Sequence, residues 1–185
     1  MTELPEQNPD QAELIEVIEN HPFSDERSLA RRTALQILYE LDCTDHPLGH
    51  VLTTQLQNEP VDRNVRRYAR QLVLGVDAHR VLLDDTIRHF ASSWPLEQMA
   101  IIDRNILRIA VYEFAISGRV PTGVAIDEAV ELAKVFGAES ATGFVNGVLG
   151  ALARDAALLE SLRAAAATTD QTEDAPTDES DEEDS

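Results

Sequence analysis

Apolar side chains recur along this chain every three or four positions, the period of helices with one buried face, and no stretch keeps the two-residue alternation of a strand. The densest run is Met99–Ser117, where Ile102, Ile106, Ile109, Ala110, Val111 and Phe114 return so often that this helix should be central. Further upstream, Leu14, Ile15 and Ile18 predict a short helix over Gln11–Asn20, ended by Asn20-His21-Pro22. Ser24 is placed to cap the next helix, with Asp25 and Glu26 in a first turn where the helix dipole favours negative charge. Ala34, Leu35, Leu38 and Leu41 carry that helix to about Cys43. A short helix over Leu48–Asn58 stops at Glu59-Pro60, and a long helical stretch from Val61 to about Ala91 follows, with Gly75 as the position for a bend. Ser93-Trp94-Pro95-Leu96 then divides the chain into two helical halves.

The segment Gly123–Leu152 holds two more helices. Ile126, Ala129, Val130 and Ala133 share one face of the first, which Gly137 stops. Phe144, Val145, Val148, Leu149 and Leu152 repeat at helical spacing in the second, although Gly143, Gly147 and Gly150 each cost a helix about 1 kcal/mol relative to Ala. Such a penalty asks for close packing against another helix or for a ligand that must come near. Ala156–Ala167, with Leu158, Leu159 and Leu162, prolongs the last helix. The fold expected is all-α, a compact bundle of about six or seven helices in two halves over residues 24–167. An acidic leader, 1–23, partly disordered, and a disordered acidic tail, 168–185, flank it.

Charge changes the picture because it is unevenly spread. The formal net charge is −19, but residues 1–26 hold eight acidic residues and 170–185 hold nine, with no Lys or Arg in either. Removing those from the total of 34 leaves 17 acidic against 15 basic residues between them, so the folded region is nearly neutral. Fourteen of the 15 basic residues are Arg, whose planar fork suits phosphate and base edges. Arg27, Arg31 and Arg32 crowd the start of a helix, where cations oppose the dipole; that placement points to a ligand or to a solvated charged face. Arg63, Arg66, Arg67 and Arg70 form a second stripe, which could follow a phosphate backbone, stay solvated or pair with the acidic tails.

Catalytic chemistry finds no footing. The five histidines are scattered, no nucleophile, base and acid fall in a persuasive order, and no Gly-rich phosphate loop joins a strand to a helix. His46 and His50, with Asp42 and Asp45, superficially suggest a metal, but Pro47 and Gly49 break the helix that would align them. Asp84 and Asp85 are adjacent and face different ways on a helix. Neither an enzyme, a cofactor nor a metal site is expected. One cysteine, Cys43, excludes an internal disulfide, and no apolar run approaches the roughly 20 residues of a membrane span, so a cytoplasmic protein without membrane contact is expected.

Three stretches then fall into one pattern. Val124-Ala125-Ile126-Asp127-Glu128-Ala129-Val130-Glu131-Leu132-Ala133-Lys134, with Phe136-Gly137-Ala138-Glu139 and Phe144-Val145-Asn146-Gly147-Val148-Leu149, closely resembles the C-terminal signature of the NusB family of bacterial transcription antitermination factors. Ala30–Tyr39 and Ile106–Glu113 resemble the same family, in the family's order, and the likeness covers roughly Arg27 to Arg154. The resemblance implies a non-catalytic RNA-binding protein that recognises a single-stranded boxA-type element of nascent ribosomal RNA. It also implies partnership with the ribosomal protein NusE in the RNA polymerase antitermination complex, and family members occur as monomers or homodimers. Carried over residue by residue, the RNA contacts would be Arg27, Arg31, Arg32 and Tyr39 on the early helix together with Ser140 and Phe144 of the signature turn, and Asp103 would help hold the ribosomal partner. Tyr39 and Phe144 fit base stacking and core packing equally well. Two rivals stay open: a helical protein-interaction module without RNA binding, and a relative of the RNA-binding domain that precedes certain ribosomal RNA cytosine methyltransferases.

Overall fold

The first helix, α1 (Glu26–Cys43), starts where the Asp25 carboxylate accepts hydrogen bonds from the backbone N–H groups of Arg27 and Ser28, at 2.8 and 3.0 Å. The cap is therefore Asp25 and not the Ser24 expected; a carboxylate there also meets the positive end of the dipole. Burial alone would raise the Asp25 pKa, but the Ser28 hydroxyl and the two backbone donors bring it below the ordinary carboxylate value. The computed structural model describes residues 25–58, 62–92 and 94–173, with side chains to 168. The expected Gln11–Asn20 helix, the leader and the residues from 174 onward lie outside the described residues.

After α1 come α2 (Leu48–Asn58), α3 (Arg63–Ala78) and α4 (Arg80–Phe90), then a 3-10 turn at Leu96–Gln98. The second half holds α5 (Ile101–Val111), which passes into a π-helical turn at Tyr112–Ile116, then α6 (Thr122–Phe136), α7 (Ala141–Ala153) and α8 (Ala156–Glu173). Among the described residues all regular structure is helical, with eight α-helices where six or seven were expected. The Val61–Ala91 stretch accounts for one difference. It breaks at His79, whose backbone leaves the helical region at φ −105° and ψ 18°, and not at Gly75. Gly75 sits inside regular α3 because a Cβ there would run into the Tyr112 ring, so its role is to admit an aromatic side chain. The second difference lies after α7, where the turn at Arg154-Asp155 separates α8 from the helix it was expected to prolong. α8 runs to Glu173, past the domain boundary placed at 168.

α5 is central, as its apolar density predicts: every residue from Asn105 to Val111 is buried. α1 packs on α3 to build the first half, α6 packs on α7 in the second, and α5 lies against α1, α6, α7 and α4 to join the two. The core is mostly aliphatic, with Leu35, Ile37, Leu72, Leu83, Ile87, Leu107, Leu132, Leu149 and Leu152 fully enclosed and Phe114 the one fully enclosed aromatic among the described residues. No described helix is long and apolar enough to cross a membrane.

Candidate nucleic-acid interface

Helix α1 sorts its arginines by direction. Arg31 points inward and is only 2% exposed. Its Nε donates to both carboxylate oxygens of Glu113 on the π turn, at 3.1 and 2.9 Å, and its guanidinium lies 3.1 Å from Glu128 of α6. The Tyr68 hydroxyl of α3 donates to the same Glu113, and the Arg31 guanidinium sits 5.8 Å from the Tyr68 ring centroid. Burial by itself would lower the Arg31 pKa, yet the Glu113 hydrogen bond and charge reverse that and raise it. Burial first, and the Glu113 charge after it, push the Tyr68 phenol up as well. Arg31, expected at RNA, instead faces inward here: its fork is spent on carboxylates that tie α1 to α6 and the π turn.

The other two arginines face outward but not together. Arg27, exposed, lies 5.7 Å from the Tyr68 ring centroid and lines a cavity of about 370 Å³ with Glu26, Asn64, Arg67, Gln71 and Arg119. Arg32 belongs instead to the strip Arg32, Gln36, Tyr39 and Cys43, which repeats at i, i+4, i+7 and i+11 along one side of α1. Tyr39 on this strip is 43% exposed, so of its two sequence readings the core position does not apply. The neighbouring Cys43 thiol, itself exposed, raises the Tyr39 phenol pKa. The lone thiol is on the surface.

The signature turn forms a third surface. Ser140 and Phe144 line a cavity of about 340 Å³ with Trp94, Gln98, Met99, Ala100, Asp103 and Ala141. Ser140 precedes α7 in helical conformation, makes no side-chain cap hydrogen bond and is exposed. Phe144 is half-buried against the core, between its two sequence readings. Gly143 and Gly147 have nothing within 4 Å of where a Cβ would stand, so close helix packing does not explain them. The side of α7 that they share is open to solvent. Gly137 packs tightly beside Asp103: a Cβ there would meet Ala141 and the Ala133 carbonyl and stand 3.1 Å from Asp103 Oδ1. That oxygen is buried without a hydrogen-bond partner, and burial raises the Asp103 pKa.

Two residues were missed by pattern reasoning. Trp94, the one tryptophan, is 58% exposed on the rim of this groove, where sequence reasoning had treated it only as punctuation before Pro95. Tyr68 was absorbed into a helix, although its ring centroid lies 5.7 and 5.8 Å from the Arg27 and the Arg31 guanidinium groups. The structure brings Ser140, Phe144 and Asp103 together in one groove, and none of Arg27, Arg32 and Tyr39 lines it.

The acidic candidates for other chemistry are used structurally. Asp42 of α1 accepts from Arg104 at 3.1 Å, Asn105 at 3.2 Å, Arg108 at 2.8 Å and also from Arg80. Asp84 takes Arg108 in a two-pronged pair at 2.7 and 2.9 Å. His46 turns to Glu40 at 3.1 Å. Asp42 and Asp84 therefore hold α1, α4 and α5 together, and neither presents a base or a metal ligand to solvent.

Known proteins match this arrangement over most of its described length. Residues 28–154 match the NusB family. A transcription antitermination protein NusB from Dehalococcoides mccartyi strain CBDB1 is 44% identical over 128 residues, covering 69% of this chain and 90% of its own. One from Anaeromyxobacter sp. strain Fw109-5 is 46% identical over 128 residues, with 69% and 89% covered. Among solved structures, NusB from T. maritima superposes with a TM-score of 0.64 at 32% identity over 70% of this chain and 91% of its own. A structure of antitermination factors NusB and NusE in complex with dsRNA gives 0.64 at 27% identity, with 69% and 95% covered. With buried α5, the α1 ion-pair lock and the signature turn all inside the matched span, the chain belongs to the NusB family, whose relatives carry the name transcription antitermination protein.

Proposed function

We propose that the protein is a non-catalytic antitermination factor that binds a single-stranded boxA-type element of nascent ribosomal RNA together with the ribosomal protein NusE. The observation that carries this is the groove in which Ser140 and Phe144, the residues expected at RNA, stand beside Asp103, the residue expected at the protein partner. Its chemistry divides the labour. A half-desolvated carboxylate with an unpaired oxygen repels phosphate and rewards a donor from a protein or a base amino group. Trp94 and Phe144 offer faces for stacking, and the bare Gly143–Gly147 side lets another backbone approach α7. Phosphate neutralisation falls to Arg32 and Arg27, with Tyr39 as a stacking platform. RNA and NusE held side by side on one factor raise each other's effective concentration at RNA polymerase. Coverage of about 90% of antitermination relatives favours this role over a methyltransferase domain.

Arg32 and Tyr39 make the test because neither is part of the buried lock. In the full chain, Tyr39→Ala should weaken binding of a boxA-type single strand by about 1–3 kcal/mol. Arg32→Ala should lower the slope of log affinity against log salt by about 0.7, one phosphate contact on a single strand. Circular dichroism should show both variants folded. Parent-like affinity and salt slope in both folded variants would remove α1 from the RNA site.

A further inference from the structure

Helix α3 carries a charge that the fold leaves uncompensated. Arg63, Arg66, Arg67 and Arg70 are all exposed, follow one another at i, i+3, i+4 and i+7, and so occupy one side of α3 within about 11 Å of helix axis. None of the four has a carboxylate partner among the described residues; Arg67 meets only Asn64, at 3.3 Å. Arg67 also faces the cavity that holds Arg27 and Arg119, which widens the positive surface to six guanidinium groups. The described carboxylates at its margins are Asp62, which caps α3, and Glu26 at one end and Asp77 at the other. Four like charges on adjacent turns repel one another, so an anion that spans them removes a penalty as well as adding attraction.

The last helix packs beside the C-terminal end of α3. α8 lies beyond the matched span of 28–154, packs along the π turn, and donates from Arg163 to the Phe114 carbonyl at 3.3 Å. Its Ala166 and Ala167 line a cavity of about 730 Å³ with Gln71, Leu74, Asp77 and Ala78 of α3, next along the helix from Arg67 and Arg70. From Glu173 a further 12 residues remain, of which seven are acidic and none is Lys or Arg. Twelve residues reach up to about 40 Å when extended. Six residues of α8 after Ala167 span about 9 Å, and the whole of α3 about 24 Å, so the reach suffices whichever way α8 points.

We propose that the acidic segment 174–185 docks on the Arg63, Arg66, Arg67 and Arg70 face of α3, as a built-in polyanion that screens this stripe from other polyanions. Tethering favours the segment over a free competitor, because a short link of this length holds it at an effective concentration of about millimolar order. Docking of this kind is electrostatic and releases at high salt.

The test uses the full chain and no RNA, so its outcome is independent of the function proposed above. A nitroxide is attached to Ser185→Cys in a Cys43→Ser background, and amide line broadening is read at about 10 mM salt and at about 1 M, where the Debye length falls from about 30 to about 3 Å. The expected result is broadening of Arg63–Gln71 amides at least about twofold above those of α7 at low salt, lost at high salt. It should also be lost in the full-length variant Arg63→Gln/Arg66→Gln/Arg67→Gln/Arg70→Gln, whose changes are all on the surface. Three results would overturn the proposal: no broadening on α3 at low salt, broadening centred on the Arg32 strip of α1, or broadening that survives the four substitutions.

Discussion

Replacing Arg31 with alanine should destabilise the protein by about 3–5 kcal/mol, because it leaves Glu113, 1% exposed, as a buried carboxylate without its cation. For a domain of this size that is a fall of roughly 6–20 °C in melting temperature. Glu128 would keep Ser28, whose hydroxyl lies 2.7 Å away, and Glu113 would keep the Tyr68 hydroxyl, but neither replaces a charge. Arg31→Ala combined with Glu113→Ala should cost less than the two single changes added together, since the second change removes the stranded charge. Urea unfolding of the four proteins measures this. A loss below about 1 kcal/mol for Arg31→Ala would show that the pair is exposed to water in solution. The consequence for function is practical: loss of RNA binding in an Arg31 variant has to be read beside its loss of stability.

The second large effect is expected at Asp42. This carboxylate receives Arg104, Arg108 and Asn105, and Arg80 as well, and it joins α1 to α4 and α5. Burial, then repulsion from Arg108, already lowers the pKa values of Arg80 and Arg104, so the cluster tolerates its positive charge only because the two aspartates are there. Asp42→Ala leaves three guanidinium groups facing Asp84 alone. The expected cost is about 3 kcal/mol, near the lower end for a broken buried pair, because Arg108 keeps both contacts with Asp84 and the other two arginines reach solvent. Scanning calorimetry should show a fall of roughly 6–12 °C. A fall of under about 2 °C would mean that water takes over from the carboxylate.

Both networks explain what the sequence did and did not disclose. Helical periodicity placed α1, α2, α5, α6 and α7 and made α5 central, because burial of one face is a local property of spacing. Arg31 looked like a surface residue because it stands four positions from Arg27, and only Glu113 and Glu128, far along the chain, turn it inward. A signal was nevertheless present: Glu113, Asn105 and Arg108 are polar residues inside the most apolar run, and a buried charge requires an opposite one. Asp42 carried no comparable signal, since it lies near the end of α1 beside polar residues. His79 was invisible as a helix break because nothing in its neighbours is a breaker, while Gly75 drew attention for a property its position does not use. Within the candidate site, Ser140, Phe144 and Asp103 met in one groove, but Trp94 entered it only through the turn geometry that follows α4.

The most direct test of the central claim is a titration of a fluorescent boxA-type single strand with the full chain, in the absence and presence of saturating NusE, against a strand of the same composition in scrambled order. The account predicts preference for the boxA-type strand and an affinity that rises with NusE by a factor in the range of about 5–150, the usual size of a coupling between two sites. Equal affinity with and without NusE, together with equal affinity for the scrambled strand, would contradict it.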